Sequence, residues 1–460
     1  MEKTREAYTE CMLELKKQVR QDPGDIPLVI DYAEKLFQLG YFAESKELLT
    51  QLPDNAKDAA EVAPQGAKAL FLLGQIAYLL GNYSEAEVLY KTLAHQFAEF
   101  KDKAAIELSA VYYQTNRYKD MKDLNLPNDP DLEIPVPGIH KVLGDRLPYQ
   151  VHWSGAEEKV SIPFIATNPL PLIEIELQGK LYNFIIDTGA ADTILDQALA
   201  ESLGIQVYGQ GSGMFAGGAR ADVTYGLLDS LTLGSVRIDT LPVMLLPSST
   251  IAELSGVYKN RYTISGLIGI GVFRQFLTIM DYPARRLLLR SRNSTGVSSQ
   301  GAKDDSAVEL PFVMAASHMI ISRGVINGKD MNIFFDSGLA ASLKILLPSE
   351  SVRHAEIPVL KTMKIDGSGG GGAAKMDIDI FKVASFKLGD LPEGKRLLGA
   401  SGIFPEQLYF DDKCGFFIDA LISHQYLKNY IWTIDFNSMK MSFTKGKKGS
   451  WLKRFTRIPG

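Results

Sequence analysis

The sequence predicts a multidomain chain with α and β parts: an N-terminal array of helical repeats, then two related all-β lobes. Three observations carry that expectation. Residues 1–123 place apolar residues at helical spacing and give almost no strand signal. A short motif occurs twice, far apart, as Phe184-Ile185-Ile186-Asp187-Thr188-Gly189-Ala190 and Ile333-Phe334-Phe335-Asp336-Ser337-Gly338-Leu339. The sequence around the two copies also matches, well beyond the motif itself.

In the helical third, three helix-turn-helix units are marked by their turns. Leu36 to Ser45 turns at Gly40, Ala77 to Ala86 at Gly81, and Val111 to Tyr118 at Asn116. Gly or Asn at such a place lets the chain turn left-handed between helices. The steps from Gly40 to Gly81 and from Gly81 to Asn116 fall near the ~34-residue period of a tetratricopeptide (TPR) repeat. An insertion around Pro53 to Ala63 explains the longer first step. Residues 1–123 therefore resemble a TPR solenoid of about three repeats. Stacked helix pairs of that kind bind extended peptides on a concave face. A helical brace packed on the rest of the protein is the other reading, and composition favours neither.

Residues 124–160 carry Pro127, Pro130, Pro135, Pro137 and Pro148 with weak periodicity, which predicts an extended connector. The first lobe is expected over 161–291, an interlobe linker over 292–307, and the second lobe over 308–445. Leu172-Ile173-Glu174-Ile175-Glu176-Leu177 alternates as a half-buried strand and turns at Gly179 into the motif strand; Gly328 stands at the same distance before Asp336. Ile162-Pro163-Phe164 answers Leu310-Pro311-Phe312, and Leu231 to Gly234 answers Phe386 to Gly389. Phe276 to Asp281 answers Tyr430 to Asp435. The offset between copies stays nearly constant, the mark of an internal repeat the size of a lobe.

A lone Asp-Ser/Thr-Gly is usually an ordinary turn, expected by chance roughly once in several chains of this length. Duplicated with its flanks, it gains a chemical meaning. Each copy is an apolar strand ending in a carboxylate at the tip of a tight turn, where Gly eases the backbone. Two such tips brought face to face could share a proton and hold a water between them. On these residues the stretch from about 160 to 445 resembles the retropepsin-like and pepsin-like aspartic proteases. That resemblance implies a bilobal acid-protease barrel fold with pseudo-twofold symmetry and catalysis by Asp187 and Asp336. It further implies that Thr188 and Ser337 tie the two loops together and that Gly189 and Gly338 support their turns. Leu267-Ile268-Gly269 matches the apolar-apolar-Gly element that the family packs beside the catalytic loop. Leu421-Ile422-Ser423 departs from it at Ser423, and Leu339 departs from the small residue expected after Asp-Ser-Gly.

Gly217-Gly218 and Gly371-Gly372 lie in glycine-rich runs at matching offsets, which the resemblance makes substrate-binding flaps. Glycine suits a segment that bends and brings backbone amides close to a peptide. Asp281 and Asp435 match between lobes but read as strand-end turns. Asp192 has Ala341 at its counterpart and takes no part in the expected chemistry.

The rest of the composition narrows the function. The 460 residues are 46% apolar and 22% charged, with a net charge of −5, enough for three modules. That charge argues against nucleic acid as a partner. The six His are scattered, and the two Cys, Cys11 and Cys414, are distant, so neither a metal nor a disulfide framework is expected. No cofactor is needed. No apolar run has the length of a membrane-crossing helix. The polar start of the chain predicts a cytoplasmic protein as the sequence stands; a signal peptide preceding it would make the protein periplasmic or secreted. The basic tail 446–460 is expected to be solvated or packed back on the protein rather than bound to a membrane. The expected function is an aspartic endopeptidase acting on a peptide or protein substrate, active as a monomer, with the helical repeats recruiting substrate or a protein partner. The alternative is a protease-like scaffold whose second lobe has lost activity, motivated by Ser423 and Leu339.

Overall fold

The computed structural model describes residues 4–52, 63–126, 136, 138–214, 220–293, 307–339, 343–369, 372–403 and 414–445. Among the described residues the first helices are α1 (Arg5–Gln21), α2 (Ile26–Gln38), α3 (Phe42–Thr50), α4 (Ala63–Leu79), α5 (Tyr83–Gln96) and α6 (Lys101–Gln114). Thr4 caps α1 by accepting from the amide of Ala7, and Asp25 caps α2 by accepting from Leu28. In α2 the buried face is Val29, Ile30, Tyr32, Ala33, Leu36 and Phe37, the i, i+3, i+4, i+7 spacing of an amphipathic helix.

The three turns expected from sequence share one hydrogen-bond pattern. Gly40, Gly81 and Asn116 have φ of 84°, 76° and 58°. Each donates its amide three residues back, to Phe37, Tyr78 and Tyr113, and the next residue donates five back, to Leu36, Ala77 and Tyr112. This is the Schellman closure, which satisfies helix-end carbonyls by a left-handed step. After Asn116 the chain continues as a short 3-10 helix, Tyr118–Asp123, in place of a full second helix.

Among the described residues the β part forms three sheets. One has eight strands, including Gln150–Trp153, Leu172–Leu177, Lys180–Ile186, Thr193–Asp196 and Ile264–Ile268. Another eight-stranded sheet contains Met319–Ile326, Lys329–Phe335, Ile345–Leu346 and Ala420–Ile422. A six-stranded sheet joins the halves, because Phe276–Asp281 pairs antiparallel with Tyr430–Asp435 at its centre, Ile279 opposite Thr433. Gly179 and Gly328 turn at φ 78° and 81° into the motif strands, as their spacing predicts. Asp281 accepts from the amide of Ala284 and Asp435 from that of Asn437, so both serve hairpin turns.

The expected extended connector over 124–160 needs correction in its second half. Residues 150–153 form a strand paired with Val236–Asp239 of the first large sheet, and Ile139, Leu143 and Tyr149 are buried in the core. Their apolar side chains dock because isolated surface exposure would forfeit that burial. The core also runs on from helices to lobes. Phe37 and Phe42 pack edge-on against Phe416, and Ile30 and Phe37 share one apolar cluster with Phe334 and Leu421.

Candidate active site

The two motif strands are buried apolar runs that lead directly into Asp187 and Asp336. Phe184, Ile185 and Ile186 are buried, and Ile185 and Ile186 pair in parallel with Leu267 and Ile268. The amide of Asp187 donates to the Ile268 carbonyl at 3.0 Å. The second lobe repeats this: Phe334 and Phe335 pair in parallel with Leu421 and Ile422, and Asp336 donates to the Ile422 carbonyl at 3.0 Å. In the first lobe Gly269 must be glycine for space. A Cβ there would stand 2.3 Å from the carbonyl oxygen of Asp192 and 2.7 Å from that of Ala190.

The two loops are tied by four reciprocal hydrogen bonds, each 3.0 Å. Thr188 donates its amide to Ser337 Oγ and its hydroxyl to the Phe335 carbonyl; Ser337 donates its amide to Thr188 Oγ1 and its hydroxyl to the Ile186 carbonyl. Both hydroxyl residues are buried, so these bonds are shielded from competing water. The tie uses neither carboxylate. Gly189 donates its amide to Asp187 Oδ1 at 2.8 Å, and Gly338 to Asp336 Oδ1 at 2.7 Å.

The carboxylates also meet across the loops. A Cβ on Gly338 would stand 2.1 Å from Cγ and Oδ1 of Asp187, and one on Gly189 would stand 2.7 Å from Cγ of Asp336. Here the expectation that glycine serves the turn is corrected. Neither Gly189 nor Gly338 has a positive φ; glycine is required because the opposite carboxylate fills the side-chain space. Burial pushes both carboxyls above the usual range, and for Asp336 the neighbouring Asp187 charge adds to it. Such a pair holds one proton between its members more readily than two separate carboxyls would.

The two departures in the second lobe leave this arrangement in place. Ser423 donates its hydroxyl to the Leu343 carbonyl and caps the short helix His424–Leu427 by accepting from Gln425. Leu339 acts on Asp336 through its backbone amide, as Ala190 acts on Asp187, and its side chain joins an apolar cluster.

Of the expected flap residues, Gly217, Gly218 and Gly371 lie outside the described residues. Gly372 pairs with Gly369 at the end of the hairpin formed by Val359–Gly369 and Gly372–Lys387. In the first lobe Gln206–Met214 pairs with Arg220–Leu233, Met214 opposite Arg220.

Residues 173–272 match a family model for aspartyl protease, a span that takes in Asp187-Thr188-Gly189 and Leu267-Ile268-Gly269. No curated protein matches the chain. Among solved structures, an aspartic proteinase from Irpex lacteus is 12% identical, covering 62% of this chain and 97% of its own, at a TM-score of 0.34. Conglutin gamma, a basic 7S globulin from lupine seeds, is 9% identical, covering 63% and 96%, at a TM-score of 0.37.

Two buried carboxylates beside the loops, Asp192, which the sequence sets aside, and Asp419, which it does not single out, have partners in the helices. Asp192 accepts from the Tyr113 hydroxyl at 2.7 Å. Asp419 pairs with Arg5 at 2.9 Å and accepts from the amide of Asn332 at 2.7 Å. A signal existed: Asp419 interrupts Phe416-Phe417-Ile418 and Ala420-Leu421-Ile422, and a charge inside an apolar run needs a buried partner. The identity of that partner, Arg5, had no local signal.

Proposed function

We propose that this protein is an aspartic endopeptidase in which Asp187 and Asp336 activate a water for attack on a peptide carbonyl. The observation that carries the reading is reciprocal: each carboxylate occupies the side-chain space of the other loop's glycine, while Thr188 and Ser337 lock the loops together. The ionised member of the pair takes a proton from the water as it adds to the carbonyl carbon. The protonated member donates to the carbonyl oxygen and stabilises the charge that develops there. No cofactor enters the step.

In this reading the two lobes are related by a pseudo-twofold axis passing near the Ile279–Thr433 pair, where equivalent residues face each other. One chain supplies both carboxylates, so a monomer suffices. The glycine-rich hairpin ends, with Gly217, Gly218, Gly371 and Gly372, serve as flaps over a bound peptide. The helical part is a TPR array, a reading supported by its three identical Schellman turns at repeat spacing. Its faces turned away from the lobes recruit substrate or a protein partner.

The test is cleavage of a peptide library by the wild type beside Asp187→Asn and Asp336→Asn. Cleavage by the wild type and its loss in both variants is expected. Activity that survives either substitution removes the pair as catalyst. The scaffold alternative gains only if the wild type binds peptides and cuts none between pH 3 and 8.

A further inference from the structure

All three helical turns face the β lobes. A Cβ on Gly40 would stand 2.3 Å from Asn332 Oδ1, and one on Gly81 would stand 3.0 Å from the Met439 sulfur. The Asn116 amide group accepts from Arg274 at 3.0 Å and donates to Gln275 at 3.2 Å. The first seat, Asn332, lies on the strand that leads to Asp336, and beside the third, Tyr113 reaches the stretch just after Asp187.

In the first lobe the seat is the stretch just after Asp187. Tyr113, at the end of α6 and 1% exposed, donates its hydroxyl to Asp192 Oδ1 at 2.7 Å, and that hydroxyl oxygen also lies 3.3 Å from the Ala191 carbonyl oxygen. Arg274, 4% exposed, holds the helix end in place. It donates to Gln114 Oε1 at 2.6 Å and to the Tyr113 carbonyl at 3.1 Å.

In the second lobe the seat is the strand pair that frames Asp336. Arg5, at the start of α1 and 3% exposed, donates to Asp419 Oδ1 at 3.0 Å and to the Leu39 carbonyl at 3.0 Å. Asp419 accepts the Asn332 amide at 2.7 Å and donates its own amide to the Asn332 carbonyl at 2.8 Å. Asn332 sits in the strand Lys329–Phe335, which leads directly into Asp336. Asp419 sits beside Ala420–Ile422, whose Ile422 carbonyl holds the Asp336 amide.

An interface made only to add stability would do as well or better with apolar groups, since buried ion pairs rarely surpass hydrophobic replacements. What directed polar bonds add is a fixed position. We propose that the helical module positions the catalytic pair: Tyr113 and Arg5 are positioning residues that hold the Asp187 and Asp336 loops from opposite lobes, and the cleft is competent only with the module docked. This rests on the endopeptidase reading for its consequence in catalysis, though the mechanical claim stands apart from it.

The experiment uses the full chain, with Tyr113→Phe, Arg5→Met and the milder Arg5→Lys. The control is Lys46→Ala, which breaks the Lys46–Glu85 pair between the helices, away from Asp187 and Asp336. Two quantities are read well below the melting temperature: kcat and KM on a cleaved peptide, and hydrogen–deuterium exchange of backbone amides. Tyr113→Phe is expected to lower kcat about tenfold with little change in KM and to speed exchange over 187–192 while sparing 332–338. Arg5→Met reverses the two segments, and Arg5→Lys does so more weakly if Arg5→Met fails to fold. Lys46→Ala changes neither. Folded variants with wild-type kcat and wild-type exchange in these segments overturn the proposal. A wild type that cuts no peptide sinks the endopeptidase reading alone, and segment-specific exchange then still supports or overturns the positioning role.

Discussion

The carboxyl group of Asp187 stands where a side chain of Gly338 would be, 2.1 Å from the position of its Cβ. The two Asp-Ser/Thr-Gly loops therefore interlock by shape as well as by hydrogen bonds. Gly338→Ala would push Asp187 aside by roughly the size of a methyl group, and displacements near 1 Å can cost about a hundredfold in rate. We expect Gly338→Ala to lose at least that much kcat, with circular dichroism unchanged. Gly189→Ala should behave alike through Asp336. Near-normal cleavage by either variant would mean the loops can part without consequence.

Ser337→Ala removes a buried hydroxyl that accepts from Thr188 and donates to Ile186. The Thr188 amide and the Ile186 carbonyl are then left without those partners in a buried setting, a cost of about 1–3 kcal/mol. Thr188→Ser keeps the hydroxyl in reach of both its partners and should stay within about 0.5 kcal/mol of the wild type apart from its lost methyl. Denaturant unfolding of the two variants side by side decides this. Equal midpoints would show that the tie contributes nothing to stability.

Much of this site was legible in the sequence because strand, turn and motif are local. Phe184 to Gly189 and Ile333 to Gly338 each carry their own burial pattern and turn chemistry, so duplication alone pointed to a pair. The three helical turns were legible for the same reason, since a left-handed step needs Gly or Asn. The role of Gly338 was misread as conformational, because the atom that forbids a side chain there belongs to Asp187, in the other lobe. The connector was misread because Pro127 to Pro148 dominates its composition, while Tyr149 and Val151 are recruited into the first lobe's sheet by contacts distant in sequence. Arg5 with Asp419 is the extreme case: neither residue carries any local mark of the other.

The activity profile should follow the shared proton. Burial raises both carboxyls, and the Asp187 charge holds Asp336 higher still. The pair therefore keeps one proton to a higher pH than two ordinary carboxyls would. Cleavage should be bell-shaped in pH, rising as the first proton leaves and falling as the second does. The alkaline limb is expected above the ordinary carboxylate range. A profile that stays flat from pH 4 to 8 would mean that the shared proton is not used.

Stability should respond to acid in opposite senses at two buried groups. Burial pushes Asp192 up to about 6, against hydrogen bonding from Tyr113 and the nearby Arg274 charge. Its unfolded value is near 3.9, so between those limits the folded chain binds a proton that the unfolded chain does not. That contribution grows as pH falls from about 6 to about 4, and reaches about 3 kcal/mol. His424 does the reverse. It is buried with Nε2 2.7 Å from the Thr167 carbonyl, and burial lowers it to about 4. Acid charges it first in the unfolded chain, from about 6.5 downward, so its contribution is lost as pH falls toward 4, again by about 3 kcal/mol. Relative to the wild type, Asp192→Asn should therefore lose ground on acidification and His424→Gln should gain it. Unfolding free energies at pH 7 and pH 4.5 test both signs at once, and parallel pH curves for all three proteins would show that neither group titrates in this range.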